Sequence, residues 1–84
     1  MRVLIVEDEE KTADYLHRGL TEQGYTVDVA REGVEGLHLA LENDYAVIVL
    51  DVMLPGLDGF GVLRALRARK QTPVIMLKIG RAHV

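Results

Sequence analysis

The hydrophobic period of this chain switches repeatedly between runs that suit a strand and spacings that suit a helix. Val3-Leu4-Ile5-Val6 is a continuous apolar run. From Glu10 to Gln23 the apolar residues thin out to Ala13, Leu16 and Leu20, which share one helical face, and Gly24 stops the helix. Tyr25, Val27 and Val29 alternate with Thr26 and Asp28, a period of two that predicts a second strand. Val34, Leu37 and Leu41 mark a second helix ending near Asn43-Asp44, and Ala46 to Leu50 form a third strand. Asp58 can cap a third helix carrying Phe60, Leu63 and Leu66, and Pro73 precedes a fourth strand, Val74 to Leu77. No linker, repeat or low-complexity stretch interrupts the series.

Strands alternating with helices predict right-handed crossovers and a doubly wound α/β fold, a mostly parallel sheet covered on both faces. Ligands of such sheets sit outside the carboxyl ends of the strands where the strand order reverses, which in the order 2-1-3-4-5 lies between strands 1 and 3. Strand 1 ends at Glu7-Asp8 and strand 3 ends at Asp51, so three carboxylates from distant parts of the chain are expected to meet there. Like charges so close are unfavourable unless a cation joins them. The cation that suits them is Mg2+, a hard ion taking oxygen ligands from one or two carboxylates and a phosphate. Asp51, alone at its strand tip, is the natural nucleophile toward phosphorus, and the adjacent Glu7 and Asp8 are suited to hold metal. The backbone carbonyl of Met53 could add a further oxygen.

Composition narrows this picture without redirecting it. The 84 residues suit one small domain with a modest core, and a net charge of −3 with both signs spread along the chain argues against a nucleic-acid binder. With no cysteine there is neither a disulfide framework nor a thiolate metal site, which fits a reducing compartment. The apolar run before Glu7 is too short for a signal peptide or a membrane span, so a cytoplasmic protein without membrane association is expected.

Plainer readings compete at each position. Negative charge near a helix N-terminus is favourable by itself, which would account for Glu7 to Glu10 without a ligand. Asp51 resists that explanation, because Leu54-Pro55-Gly56 follows it rather than a helix start. Gly59 and Gly61 do not complete a dinucleotide fingerprint, and His17 and His38 have no partner at ligand spacing. Arg64, Arg67, Arg69 and Lys70 suit a helix C-terminus, where cations complement the dipole.

Three segments together carry a family resemblance: Val-Leu-Ile-Val-Glu-Asp-Glu from Val3 to Glu9, Val-Leu-Asp-Val-Met-Leu-Pro-Gly-Leu-Asp-Gly from Val49 to Gly59, and Thr-Pro-Val-Ile-Met-Leu from Thr72 to Leu77. They resemble the receiver domain of two-component response regulators. Glu10-Lys11-Thr12 to Gly24 and Asp28 to Gly33 are most similar to the winged-helix, OmpR-like transcriptional regulators of heavy-metal response. The resemblance implies a flavodoxin-like receiver of strand order 2-1-3-4-5. It also implies that Asp51 accepts a phosphoryl group from a sensor histidine kinase, while Glu7, Asp8, Asp51 and the Met53 carbonyl hold Mg2+. Such a chain is a phosphoacceptor, able to phosphorylate itself from small donors, rather than an enzyme in the usual sense.

The likeness covers residues 1–77 and stops there. Lys78 stands where the family carries a Thr or Ser that contacts the phosphate, and residues 78–84 follow no family pattern. The last strand, the last two helices and a DNA-binding domain have no counterpart, so DNA binding is expected only of a full-length parent. Without the fifth strand, Val74 to Leu77 is expected to form a bare apolar edge and to promote self-association. Two other functions compete. A phosphatase of the haloacid-dehalogenase type also uses a strand-end Asp, but Met53 stands where its second Asp would be. A non-phosphorylated receiver-like interaction module would let Lys78 pair with Asp51 in place of metal.

Overall fold

The computed structural model describes residues 1–77. Its elements run β1 (Arg2–Val6), α1 (Glu10–Glu22), β2 (Thr26–Ala30), α2 (Gly33–Glu42), β3 (Val47–Asp51), α3 (Gly59–Arg67) and β4 (Val74–Leu77). Among the described residues the strands form one sheet in the order β2-β1-β3-β4, with every adjacent pair parallel. The α/β class and the reversal of strand order between β1 and β3 are as the sequence predicts. The predicted place of Lys78 and the tail to Val84 lies outside the described residues.

Strand alternation divides the core. Leu4 and Val6 of β1, with Ile48 and Leu50 of β3, join Ala40 of α2 and Val62 and Leu66 of α3 in one buried cluster. Val3 and Ile5, pointing the other way, are as fully buried, and α1 packs over β1 and β2 with Ala13 its buried residue. Because β1 and β3 are apolar toward both faces, they read as continuous runs. Burying each such Val, Leu or Ile contributes about 1.5–3 kcal/mol, which makes the two central strands the most strongly held part of the sheet. β4 is the outer strand of the described sheet, and Ile75 is 54% exposed on it.

Two helix faces differ from the expectation. On α2 the predicted Val34 is 61% exposed, whereas Gly33, Gly36 and Ala40 are buried and Leu37 and Leu41 are only partly so. The cause is a close approach that only small residues permit. On α3, Leu66 is buried and Leu63 partly buried as expected, but Phe60 is exposed and Val62 fills the core in its place. Asp58 does cap α3, its Oδ1 accepting the Gly61 N–H at 2.8 Å.

Candidate functional site

The site lies at the carboxyl ends of β1 and β3. The pairing of Val6 with Leu50 places the next residue of each strand, Glu7 and Asp51, side by side. The ladder carries on for one more bond, from Glu7 N–H to the Ala30 carbonyl at 3.0 Å, so Glu7 remains as rigidly placed as a strand residue. Glu7 is fully buried and Asp51 is 2% exposed. Asp8 is half-buried beside them. One ligand oxygen from each of the three carboxylates falls within 4.8 Å of the others.

Backbone donors shape the cluster. Glu9 N–H donates to Glu7 Oε2 at 2.9 Å, and Met53 N–H donates to Asp51 Oδ1 at 3.1 Å. Each carboxylate is thereby oriented by the loop that follows it. Glu7 titrates abnormally: burial is the main cause lifting its carboxyl to about 7, with the charges of Asp51 and Asp8 adding to the rise and the Glu9 N–H opposing it.

The loop after Asp51 is held by close backbone approach. Gly59 donates its N–H to the Val52 carbonyl at 2.9 Å, and a Cβ at Gly59 would stand 2.2 Å from the Asp51 carbonyl oxygen. Only glycine lets α3 start this near the strand end. Gly33 does the same for the other side of the loop, since a Cβ there would meet the Leu57 carbonyl oxygen. Beyond this loop an open groove is lined by Asp8, Val52, Met53, Leu54, Pro55, Asp58 and Phe60.

The structure thus brings together Glu7, Asp8 and Asp51, as the sequence predicts. Met53 is 60% exposed and donates its backbone N–H to Asp51. His17 and His38 are exposed on their helices, away from it. Two contacts had no sequence signal. Arg31 reaches from the end of β2 to the Asp8 carbonyl at 2.8 Å. Lys70 reaches from beyond α3 to the Ala40 and Asn43 carbonyls at 3.1 and 2.9 Å, where it caps the C-terminus of α2. No helix among the described residues is long and apolar enough to cross a membrane.

A parallel sheet in the order β2-β1-β3-β4 with carboxylates gathered at its crossover has the architecture of flavodoxin-like receiver domains, and comparison with known proteins agrees. The response regulator receiver domain matches residues 3–82, and the chain belongs to that family. It is 51% identical over 77 residues to the transcriptional regulatory protein HprR of Escherichia coli, an alignment covering 92% of this chain and 34% of the relative. The chain therefore spans about a third of the length of such relatives. Its fold matches the receiver domain of a Francisella response regulator with a TM-score of 0.89 at 39% identity, covering 96% of this chain and 68% of that one. It also matches the response regulator TrrA of Thermotoga maritima, solved in complex with Mg2+ and BeF, with a TM-score of 0.80 at 32% identity over 89% of this chain and 64% of the other.

Proposed function

We propose that this chain accepts a phosphoryl group on Asp51, with Mg2+ held by Glu7, Asp8, Asp51 and the backbone carbonyl of Met53. The observation that carries the reading is the convergence of three carboxylates, two of them buried, within 4.8 Å at the strand crossover. Hard oxygen donors packed this closely suit a divalent hard cation, which would stabilise the ionised Glu7 that burial first, and the charges of Asp51 and Asp8 second, now disfavour. When bound, Mg2+ supplies charge neutralisation for the equatorial phosphoryl oxygens. The receiver family and the Mg2+–BeF complex of TrrA support the same assignment.

The chain's own residues have defined parts in this reading. An Asp51 carboxylate oxygen attacks phosphorus and forms a P–O bond as the P–N bond of a kinase phosphohistidine breaks, and the imidazole leaves with the electron pair. Met53 N–H orients the nucleophile through Oδ1. Gly59 keeps α3 close against the strand end, so that the Asp51 backbone cannot retreat. The donor is a sensor histidine kinase. In a longer protein built like HprR, the modified receiver would control the transcriptional output of another domain.

Incubation of the chain with acetyl phosphate and Mg2+ should add one phosphoryl group to the intact mass, labile to hydroxylamine. Asp51→Asn keeps the shape and should abolish the gain. An adduct that persists in that variant overturns the assignment.

A further inference from the structure

Asp8 differs from its two neighbours in how it is held. Glu7 and Asp51 are buried, so packing and the strand ladder fix them. Asp8 is half-buried in the turn between β1 and α1, where packing alone leaves its backbone less constrained. The end of β2 grips that turn at two consecutive positions: the Ala30 carbonyl accepts from Glu7 N–H at 3.0 Å, and Arg31 Nη2 donates to the Asp8 carbonyl at 2.8 Å. Arg31 is itself anchored, because its backbone N–H donates to Glu35 Oε1 in the first turn of α2 at 3.1 Å. A chain of contacts therefore runs from α2 through Glu35 and Arg31 to the peptide of Asp8.

We infer that Arg31 is a positioning residue for the metal site, fixing the Asp8 peptide through its carbonyl so that the carboxylate points at Glu7 and Asp51. The inference rests on the proposed Mg2+ site and deepens it. Arg31 touches neither the metal nor the phosphoryl group. Two effects of its side chain oppose each other. As a cation near three carboxylates it repels Mg2+, and as a donor to the Asp8 carbonyl it preorganises a ligand. The bond links residues 23 positions apart across two strand ends. Such a tie restricts the turn in a way a through-space charge does not, and preorganisation is the larger effect.

The sign of the response decides between them. Titration calorimetry of the full chain with Mg2+ should show Arg31→Gln binding about tenfold more weakly than the wild type, as expected when an outer partner of a ligand is lost. Arg31→Lys keeps one donor and the charge, and should bind within about threefold of the wild type by the same reasoning. Arg18→Gln removes an equal charge from the α1 surface and should leave binding unchanged. Urea unfolding without Mg2+ should change little in any of the three. Unchanged or tighter Mg2+ binding in Arg31→Gln overturns the inference and leaves only charge repulsion. Loss of ion-free stability with binding retained overturns it too, and assigns Arg31 to the fold. If Arg31→Gln does not fold, Arg31→Met, which keeps the apolar stem and removes both donor and charge, decides by the same signs: binding about tenfold weaker upholds the inference, and unchanged or tighter binding overturns it. Absence of Mg2+ binding in the wild type would instead remove the proposed metal site itself.

Discussion

The two ends of the sheet are built from similar residues to opposite purpose. At the amino-terminal end charges alternate and interlock: Arg2 pairs with Asp28 at 2.6 Å and lies 5.1 Å over the Tyr45 ring, and Tyr45 Oη donates to the same Asp28 carboxylate at 2.7 Å. Lys70 closes the same end by capping α2. At the carboxyl-terminal end Glu7, Asp8 and Asp51 are gathered against one another. The titration of the groups records the contrast. The Tyr45 hydroxyl bond, opposed by burial and aided by Arg2, holds Asp28 below the usual carboxylate range, whereas Glu7 is lifted to about 7. One end lowers the free energy of the folded chain, and the other keeps a buried, crowded carboxyl whose ionisation a cationic ligand can favour.

The largest effect should come from breaking the backbone frame that the acidic end depends on. Gly59→Val drives a branched side chain into the Asp51 carbonyl, and we expect a loss of about 3 kcal/mol in urea unfolding, as for overpacking against immobile backbone. A loss under about 1 kcal/mol would show that α3 can retreat without harm.

A pair of variants sharpens the comparison. Asp8→Asn should weaken Mg2+ binding by about tenfold or more with little change in ion-free stability, since one anionic ligand is lost. Asp28→Asn should do the reverse, costing about 1 kcal/mol through the Tyr45 and Arg2 contacts and leaving Mg2+ binding unchanged. If both variants affect binding alike, the two ends are not independent.

The smallest effect is a pH dependence of the amino-terminal end. Burial first, then the bond to Asp28, pushes the Tyr45 hydroxyl up to about 12, so the proton is held more tightly in the folded chain. This contribution to stability is complete below the ordinary tyrosine value of about 10 and is lost as pH rises toward 12. The Asp28 contribution has the opposite sense, present above the ordinary aspartate range and lost as pH falls below it. Tyr45→Phe should cost about 1 kcal/mol at neutral pH and remove part of the alkaline decline. Identical alkaline slopes for variant and wild type would exclude Tyr45 as its source.

The strands were legible because Val3 to Val6 and Val47 to Leu50 are apolar on both sides, and burial on both faces leaves little choice of period. The meeting of Glu7, Asp8 and Asp51 was legible for a topological reason, since strand order alone determines which loops adjoin. Helix faces were read less well. Periodicity weighs large apolar residues, whereas α2 buries Gly33, Gly36 and Ala40, where small size permits contact: a Cβ on Gly36 would stand 2.6 Å from Val6. Arg31 and Lys70 were not legible as clamps. Their long side chains bond backbone carbonyls 23 and 30 positions away, and a carbonyl has no residue-type signature.

The layer formed by α2 and α3 is fastened at both of its short sides. At one, Gly33 meets the Leu57 backbone with no room for a methyl group, and at the other, Lys70 joins the region beyond α3 to the last carbonyls of α2. A panel riveted at opposite edges resists shear, so α2 and α3 cannot slide past each other without losing one fastening.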